Sequence, residues 1–176
     1  MTLTVEDGSG RPDADAFVTV AVCDAYHAAR GRAAWAAATE EAREQAIRRA
    51  TAYLSTAIGW KGRPRRPRKQ ALAWPRVWVT DGEGYSVATD RIPPEIAQAT
   101  AEVALRELER PGAMTPDYTP NAREEAVQIG PISVRYAEGA QQAEGARPIL
   151  LVVRDLAGGL MRTGVGHSAA GTATRA

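Results

Sequence analysis

Large apolar side chains are scarce in this sequence, and their scarcity limits the core that the chain can build. Leucine, isoleucine, valine and phenylalanine supply only 30 of the 176 residues, and phenylalanine occurs once, whereas alanine alone supplies 35. That share lies below what a self-sufficient core usually contains. Because 22 basic and 21 acidic residues nearly balance, wholesale disorder is not indicated. We therefore expect small alanine-rich helices that complete their burial against a partner, although a G- and C-rich genome would also raise the alanine content.

Cysteine and long apolar runs are equally scarce. Cys23 is the only cysteine, which excludes an intrachain disulfide and gives no support to secretion. The first 17 residues are polar and acidic and lack the apolar centre of a signal peptide. No apolar run approaches the ~20 residues that a membrane-spanning helix needs. We expect a soluble protein that is intracellular when it is made, with no membrane partner.

No group of residues has the spacing of a catalytic or metal site. Cys23 and His27 stand four residues apart beside Asp24, but the only other histidine is His167 near the end of the chain. A buried structural role is the preferred interpretation of that group. The glycines at 82–84 and 158–159 lack the spacing of a phosphate-binding loop. We therefore expect no enzymatic activity, no catalytic residues, no metal and no cofactor.

The spacing of apolar residues predicts a mainly α fold, a small helical bundle with one short β-hairpin. Three helices are expected: from Thr19 to Gly31, from Thr39 to Gly59, and from Ile92 to Pro111. Residues 77–87, with an Asp-Gly-Glu-Gly turn, form the predicted hairpin. The residues of the first helix predicted to face the core are Val18, Val22, Tyr26 and Ala29.

This helical body, residues 16–111, is predicted to lie between less regular segments. Residues 1–15 resemble a flexible lead-in, and residues 163–176 a disordered tail. Residues 112–162 are predicted to form an extended arm with a strand at 129–136 and an apolar segment at 149–161, the latter a short helix broken at two glycines. An isolated strand leaves its backbone hydrogen bonds unmet, so we expect it to pair with the earlier hairpin or with another chain.

Residues 61–69 concentrate positive charge and contain no acid. Pro64 and Pro67 prevent a regular helix, so the cations are expected on a loop. Such a loop would contact phosphates without reading sequence, or it would simply be solvated, or it would serve as a nuclear localisation signal. Trp60 and Trp74 flank the segment; stacking on bases is one interpretation, but core positions are preferred. The candidate DNA-facing residues are Lys61, Arg63, Arg65, Arg66, Arg68 and Lys69.

Several motifs together resemble one known family. They are VTVAVCDAYHAARG at 18–31, Trp35, EQAIRRATAYLS at 44–55, Trp60-x-Gly62, Gln70-x-Leu-x-Trp-Pro-Arg76, and Ile92-Pro-x-Glu-Ile-Ala-x-Ala followed by Glu102. This set resembles the head–tail connector (adaptor) proteins of long-tailed phages and gene transfer agents, a group often labelled DnaT-like single-stranded DNA-binding. The resemblance covers residues 16 to 110, and the strand in IGPISVRY fits the later part.

The resemblance implies a subunit of the virion neck. Copies would form a dodecameric ring beneath the portal protein and above the tail-side connector or stopper protein, and the ring would extend the channel for packaged double-stranded DNA. The C-terminal part would reach the portal, which would bury the apolar segment at 149–161. The subunit or portal contacts expected on this basis are Ile132, Val134, Tyr136, Ile149, Leu150, Leu151, Val153 and Leu156.

Two other functions stay open. A non-sequence-specific single-stranded DNA-binding or replication-accessory protein is the alternative, because tryptophans flank the cationic segment. A small enzyme is the third and least favoured, because no site was found. In each case Trp60, Trp74 and Pro75 are expected to act as structural anchors of the returning chain.

Overall fold

The computed structural model of the chain describes residues 2–117, the strands at 126–129 and 132–135, residue 148 and residues 150–162. Within these residues the fold is mainly helical, as the sequence predicted, with short antiparallel strand pairs. None of the described helices is both long and apolar enough to span a membrane. The helices are α1 (Val20–Ala28), α2 (Ala33–Ala36), α3 (Glu40–Thr56), α4 (Pro94–Glu109) and α5 (Leu151–Ala157), followed by a 3₁₀ turn (Gly158–Leu160).

The predicted helix starts are confirmed by their caps. The hydroxyl of Thr19 accepts a hydrogen bond from the Val22 amide, and that of Thr39 accepts one from the Ala42 amide, both at 3.2 Å. Helix α4 begins at Pro94, where a missing amide hydrogen costs nothing. Helix α2 was not predicted, because a single turn is too short to show periodicity.

Helices α3 and α4 pack against each other and form the centre of the core. Fully buried alanines on both helices leave room between them, and large side chains from elsewhere fill the remaining volume. Phe17, Trp35 and Trp74 are each at most 2% exposed. The core is therefore less dependent on a partner than the count of aliphatic residues indicated. The buried alanines are Ala46, Ala50, Ala99, Ala101 and Ala104.

The predicted core face of the first helix is confirmed at Val18, which is 5% exposed, and at Tyr26, which packs against the core, but it is wrong at Val22 and Ala29, which are exposed. Val22 is 47% exposed, and the buried residues of this helix are Cys23 and His27. His27 contacts α4, where its Nε2 lies 3.1 Å from the carbonyl oxygen of Ala101, and its ring packs 4.6 Å from that of Trp35. A count of apolar residues misses this face because a histidine is buried through a hydrogen bond rather than through hydrophobicity.

The prediction of a flexible lead-in at residues 1–15 is wrong for residues 2–15. Glu6 is 5% exposed, and its carboxylate accepts hydrogen bonds from the amides of Gly8, Gly10 and Arg11, each at 2.9 Å. Gly8 adopts a φ of +94°, and a side chain there would collide with the carbonyl of Asp90. One buried carboxylate thus organises a segment whose composition is typical of a loop, and the segment packs on the body.

The first strand pair joins the start of the basic segment to the part of the chain that returns after it. Strand β1 (Arg63–Pro64) pairs antiparallel with β2 (Arg76–Val77). The predicted hairpin at 77–87 is reduced to one bridge between Thr80 and Ser86, with the Val87 amide donating to the carbonyl of Val79 at 2.9 Å. Val77 itself pairs with Arg63, so the hairpin is shorter than predicted.

The second strand pair corrects the prediction for the later part of the chain. Strand β4 (Ile132–Arg135) pairs antiparallel with β3 (Ala126–Ile129), and Val134 lies opposite Val127. The sequence predicted one strand at 129–136 that would pair with the earlier hairpin or with another chain. A local hairpin pairs one edge of that strand instead, because only two residues separate β3 from β4.

The short helix predicted in the apolar segment at 149–161 is confirmed, since α5 ends where Gly158 and Gly159 begin a 3₁₀ turn, but the site of its burial differs from the prediction. Helix α5 packs on α4, and Val153, Ala157 and Leu160 are at most 2% exposed. The chain then returns to the basic segment, where the Lys61 amide donates to the carbonyl of Leu160 at 3.0 Å. A portal is therefore not needed to bury this face, and Met114, at the start of the predicted arm, is buried as well.

Candidate nucleic-acid interface

The basic segment, residues 61–69, is held in one conformation by two polar residues that follow it, Gln70 and Arg76. Gln70 accepts a hydrogen bond from the Arg66 amide at 2.8 Å, and its Nε2 donates to the carbonyls of Leu72 and Pro75. The guanidinium of Arg76 donates to the carbonyls of Lys61 (2.6 Å), Gly62 (2.9 Å) and Ala73 (3.1 Å). These contacts join the start of the segment to its end, so the cations lie on a braced loop.

Arg76 is a structural cation. It is 7% exposed, and within the described residues no carboxylate pairs with it. Burial lowers the pKa of Arg76, and Arg162 adds a smaller repulsion in the same direction. Its carbonyl acceptors compensate for the lost hydration. The Gln70 to Arg76 motif therefore has a physical role in shaping the loop, which the sequence alone did not reveal.

Two of the six predicted DNA-facing residues already have backbone partners. The Nζ of Lys61 donates to the carbonyls of Thr80 (3.2 Å) and Gly159 (2.6 Å), which ties the segment to the turn after α5. The Nη1 of Arg65 donates to the carbonyls of Gly8 (3.2 Å) and Thr89 (2.8 Å). Both cations brace the loop, although Arg65 is still exposed.

The other four predicted cations are exposed and available for a ligand. Arg66, Arg68 and Lys69 are exposed around one turn, and Arg63 lies over an aromatic ring. In the part of the chain that the structure describes, none of the six forms an ion pair. Cations that have no acidic partner within the protein are free to neutralise the phosphates of a nucleic acid.

Trp60 and Trp74 are core residues and cannot stack on a base in the folded protein. They are 2% and 0% exposed, and their rings meet edge to face with centroids 5.8 Å apart. Trp60 donates from Nε1 to the carbonyl of Leu54 at 2.8 Å. Pro75 is buried as well and follows a cis peptide bond. Burial of Trp60, Trp74 and Pro75 anchors the chain where it returns after the basic segment.

Trp78 is the exposed aromatic residue that the sequence analysis missed. It is 75% exposed, and the guanidinium carbon of Arg63 lies 4.0 Å from its ring centroid. Strand alternation in Val77-Trp78-Val79 does not account for this exposure, because Trp78 follows the end of β2 and adopts a φ of +59°. Tyr85, on the same short hairpin, is 69% exposed.

The contacts and the burial of Cys23, Asp24 and His27 indicate a structural role for this group. Asp24 accepts hydrogen bonds from the Nε1 of Trp35 (2.7 Å) and the Nη1 of Arg43 (2.9 Å). Burial raises the pKa of Cys23 to about 12 and lowers that of His27. A cavity of about 500 Å³ lies beside Asp24 and His27. Among the described residues, no cluster of His, Cys, Asp and Glu has the arrangement of a metal site.

The residues predicted to contact a neighbouring subunit or the portal lie in different environments. Val153 is buried against α4, Leu151 is 56% exposed, and Leu150 and Leu156 are half-buried. The backbones of Ile132 and Val134 form part of β4. Tyr136 and Ile149 lie outside the described residues.

The family model described as putative DnaT-like ssDNA binding protein matches residues 1–176. The chain belongs to this DnaT-like family. No curated protein and no solved structure matches it. In this DnaT-like chain the exposed Arg66, Arg68 and Lys69 lie between β1 and β2, and the exposed Trp78 directly follows β2, beside Arg63.

Proposed function

We propose that this DnaT-like protein is a virion structural protein, a head–tail connector that forms a homo-oligomeric ring between the portal and the tail-side connector. The proposal includes no catalytic role. It places the protein in the phage neck after synthesis in the host cytoplasm. Its sequence support is the resemblance of residues 16–110 to the connectors of long-tailed phages and gene transfer agents.

One structural observation carries the proposal: the hairpin formed by β3 and β4 is paired only with itself in the described part of the chain. A lone two-stranded hairpin is at best marginally stable in water. Its outer edges carry unpaired backbone groups that a neighbouring chain can complete. Ring assembly would supply that neighbour, and the exposed Leu151 on α5 would add an apolar contact.

In such a ring the exposed cations of the basic segment would repeat once per subunit. Arg66, Arg68 and Lys69 would then form a positive collar around packaged double-stranded DNA. Contacts of this kind bind phosphates and need not read sequence. The rigid bracing of the loop by Gln70 and Arg76 suits a surface that DNA passes during packaging and ejection.

The assembly proposal is tested by imaging single particles of the protein mixed with its portal, and by mass measurement in solution. We expect rings from the wild type and monomers from Val134→Asp, with the helical circular dichroism nearly unchanged. Val22→Asp is the matched control, because Val22 is 47% exposed on α1 and lies on a different element. A wild-type protein that stays monomeric with the portal and is absent from virions would contradict the proposal.

The collar is tested by Arg66→Glu combined with Lys69→Glu. Arg65 is left intact because it braces the loop through Gly8 and Thr89. We expect normal ring assembly and reduced DNA retention or ejection. The same charge change at two exposed residues elsewhere, Arg91→Glu with Arg110→Glu, should leave DNA handling unchanged. Failure of the loop variant to assemble would show that the loop is a subunit contact.

A second candidate function is non-sequence-specific single-stranded DNA binding, as the family description suggests. The observation that favours it is the exposed Trp78 beside the basic segment, since exposed aromatics and cations together bind single strands. Oligonucleotides should quench tryptophan fluorescence, with affinity falling steeply as salt rises. The absence of binding at low salt would exclude this function.

A further inference from the structure

Trp78 is held in an exposed position by the backbone. It directly follows β2 and adopts a φ of +59°, a left-handed conformation that costs a bulky residue about 1–2 kcal/mol. Its side chain is nevertheless 75% exposed, so burial does not compensate for that cost within the described part of the chain. Strained, exposed aromatic residues of this kind are typical of ligand-binding positions.

The pairing of β1 with β2 also places a cation over the ring. Arg63 lies opposite Val77 in the ladder, and its guanidinium carbon is 4.0 Å from the centroid of Trp78. Gly62, with a φ of +63°, allows β1 to approach because a side chain there would collide with the carbonyl of Val77. The guanidinium covers one face of the indole, and the high exposure leaves the other face available to a flat ligand.

The segment that supplies Arg63 carries further charge that is suited to a polyanion. Arg66, Arg68 and Lys69 follow Arg63 along the same braced segment, and none has an acidic partner among the described residues. The nearest acid in sequence, Asp81, is used within its own turn, where it accepts hydrogen bonds from the amides of Glu83 and Tyr85 at 2.9 Å. In a ligand with planar rings and phosphates, the rings would match the indole of Trp78 and the phosphates would match these cations.

We propose that Trp78, backed by Arg63, is a stacking platform for an unpaired nucleobase, while the loop cations contact the flanking phosphates. The inference rests on the second candidate function, single-stranded DNA binding, and assigns the residue that would distinguish a single strand from a duplex. Bases of a duplex are stacked on one another, so only an unpaired base offers its face to the indole. The site lies within one chain and does not require the ring.

The test measures binding of a dT oligonucleotide about 16 nucleotides long at low salt, beside an abasic oligonucleotide with the same number of phosphates. Trp78 is the one exposed tryptophan of the four, since Trp35, Trp60 and Trp74 are at most 2% exposed. The dT oligonucleotide should therefore quench the exposed, red-shifted part of the emission. The abasic oligonucleotide should bind more weakly and quench less.

Trp78→Ala should raise the Kd for the dT oligonucleotide about 5- to 150-fold, which corresponds to one lost base stack. The slope of log Kd against log salt should stay unchanged, because no phosphate contact is removed. Trp78→Phe should keep part of the affinity. It serves as the folded variant if the alanine substitution unfolds the protein. Tyr85→Ala, another exposed aromatic but with no cation over its ring, should change the Kd less than about twofold.

Three outcomes would overturn the assignment. If Trp78→Ala binds the dT oligonucleotide as the wild type does, and Arg66→Glu with Lys69→Glu does not bind, then DNA binding stands but the platform is wrong. If Trp78→Ala and Tyr85→Ala lose affinity equally, the assignment to Trp78 is wrong. If the wild type binds no oligonucleotide at low salt, both the platform and the binding function fall.

Discussion

Glu107 offers the sharpest test of what holds the helical body together. The side chain is 1% exposed near the end of α4, and its carboxylate accepts three hydrogen bonds. The donors are the Nε of Arg49 (2.9 Å), the Gly112 amide (2.7 Å) and the Met114 amide (2.9 Å). One carboxylate thus joins α3 to α4 and fixes the turn that buries Met114.

The expected cost of Glu107→Ala follows from these contacts. Each buried amide left without an acceptor costs about 1–3 kcal/mol, and breaking a buried ion pair costs about 3–5 kcal/mol. Arg49 is 35% exposed, so water recovers part of its loss. It also keeps its 3.0 Å hydrogen bond to the Glu107 carbonyl oxygen. We expect a loss of about 3–4 kcal/mol and a fall in Tm of about 10 °C.

The assay is urea unfolding followed by circular dichroism at one protein concentration, since assembly would shift the apparent stability. Glu109→Ala is the matched control, because Glu109 is exposed two residues further along α4 and should change stability by less than about 0.5 kcal/mol. A double-mutant cycle with Arg49→Leu should show coupling. Equal stabilities for the two alanine variants would refute the assignment of Glu107 as the central brace.

Three further predictions concern other buried groups. Cys23, fully buried and with a pKa raised to about 12, should resist alkylation at pH 8 until the protein is unfolded, so rapid labelling of the native protein would contradict its placement. Burial lowers the pKa of His27 below its ordinary 6.5; its stabilising contribution is complete above pH 6.5 and is lost as the pH falls towards the lowered folded pKa. The Tm of the wild type should therefore drop more between pH 7.5 and 5.5 than that of His27→Gln. Glu6→Ala should speed hydrogen exchange at the Gly8 and Gly10 amides at least about tenfold, and unchanged exchange would show that another contact holds the segment.

The helices could be predicted because their signals are local. Thr19 and Thr39 cap α1 and α3 with their own hydroxyls, and Pro93 and Pro94 define the entry to α4. Each signal acts within one turn of helix, so neighbouring residues are sufficient to read it.

The missed features depend on residues that are distant in sequence. Nothing near Glu6 shows that its carboxylate will be buried, and the ordering of residues 2–15 follows from that burial. The partner of Trp60 is Met161, about 100 residues later, so no window of sequence could place α5 on the body. The bracing of the loop by Arg76 likewise depends on carbonyl groups that only the folded backbone brings together.

The docking of α5 on α4 makes the intervening stretch a closed loop rather than a free tail. Met114 is buried and Leu150 is packed against the core, so the 35 residues between them, which include β3 and β4, are tethered at both ends. Doubling the length of such a loop adds only about 0.6 kcal/mol of closure entropy. Insertions and deletions outside β3 and β4 should therefore cost the helical body little stability.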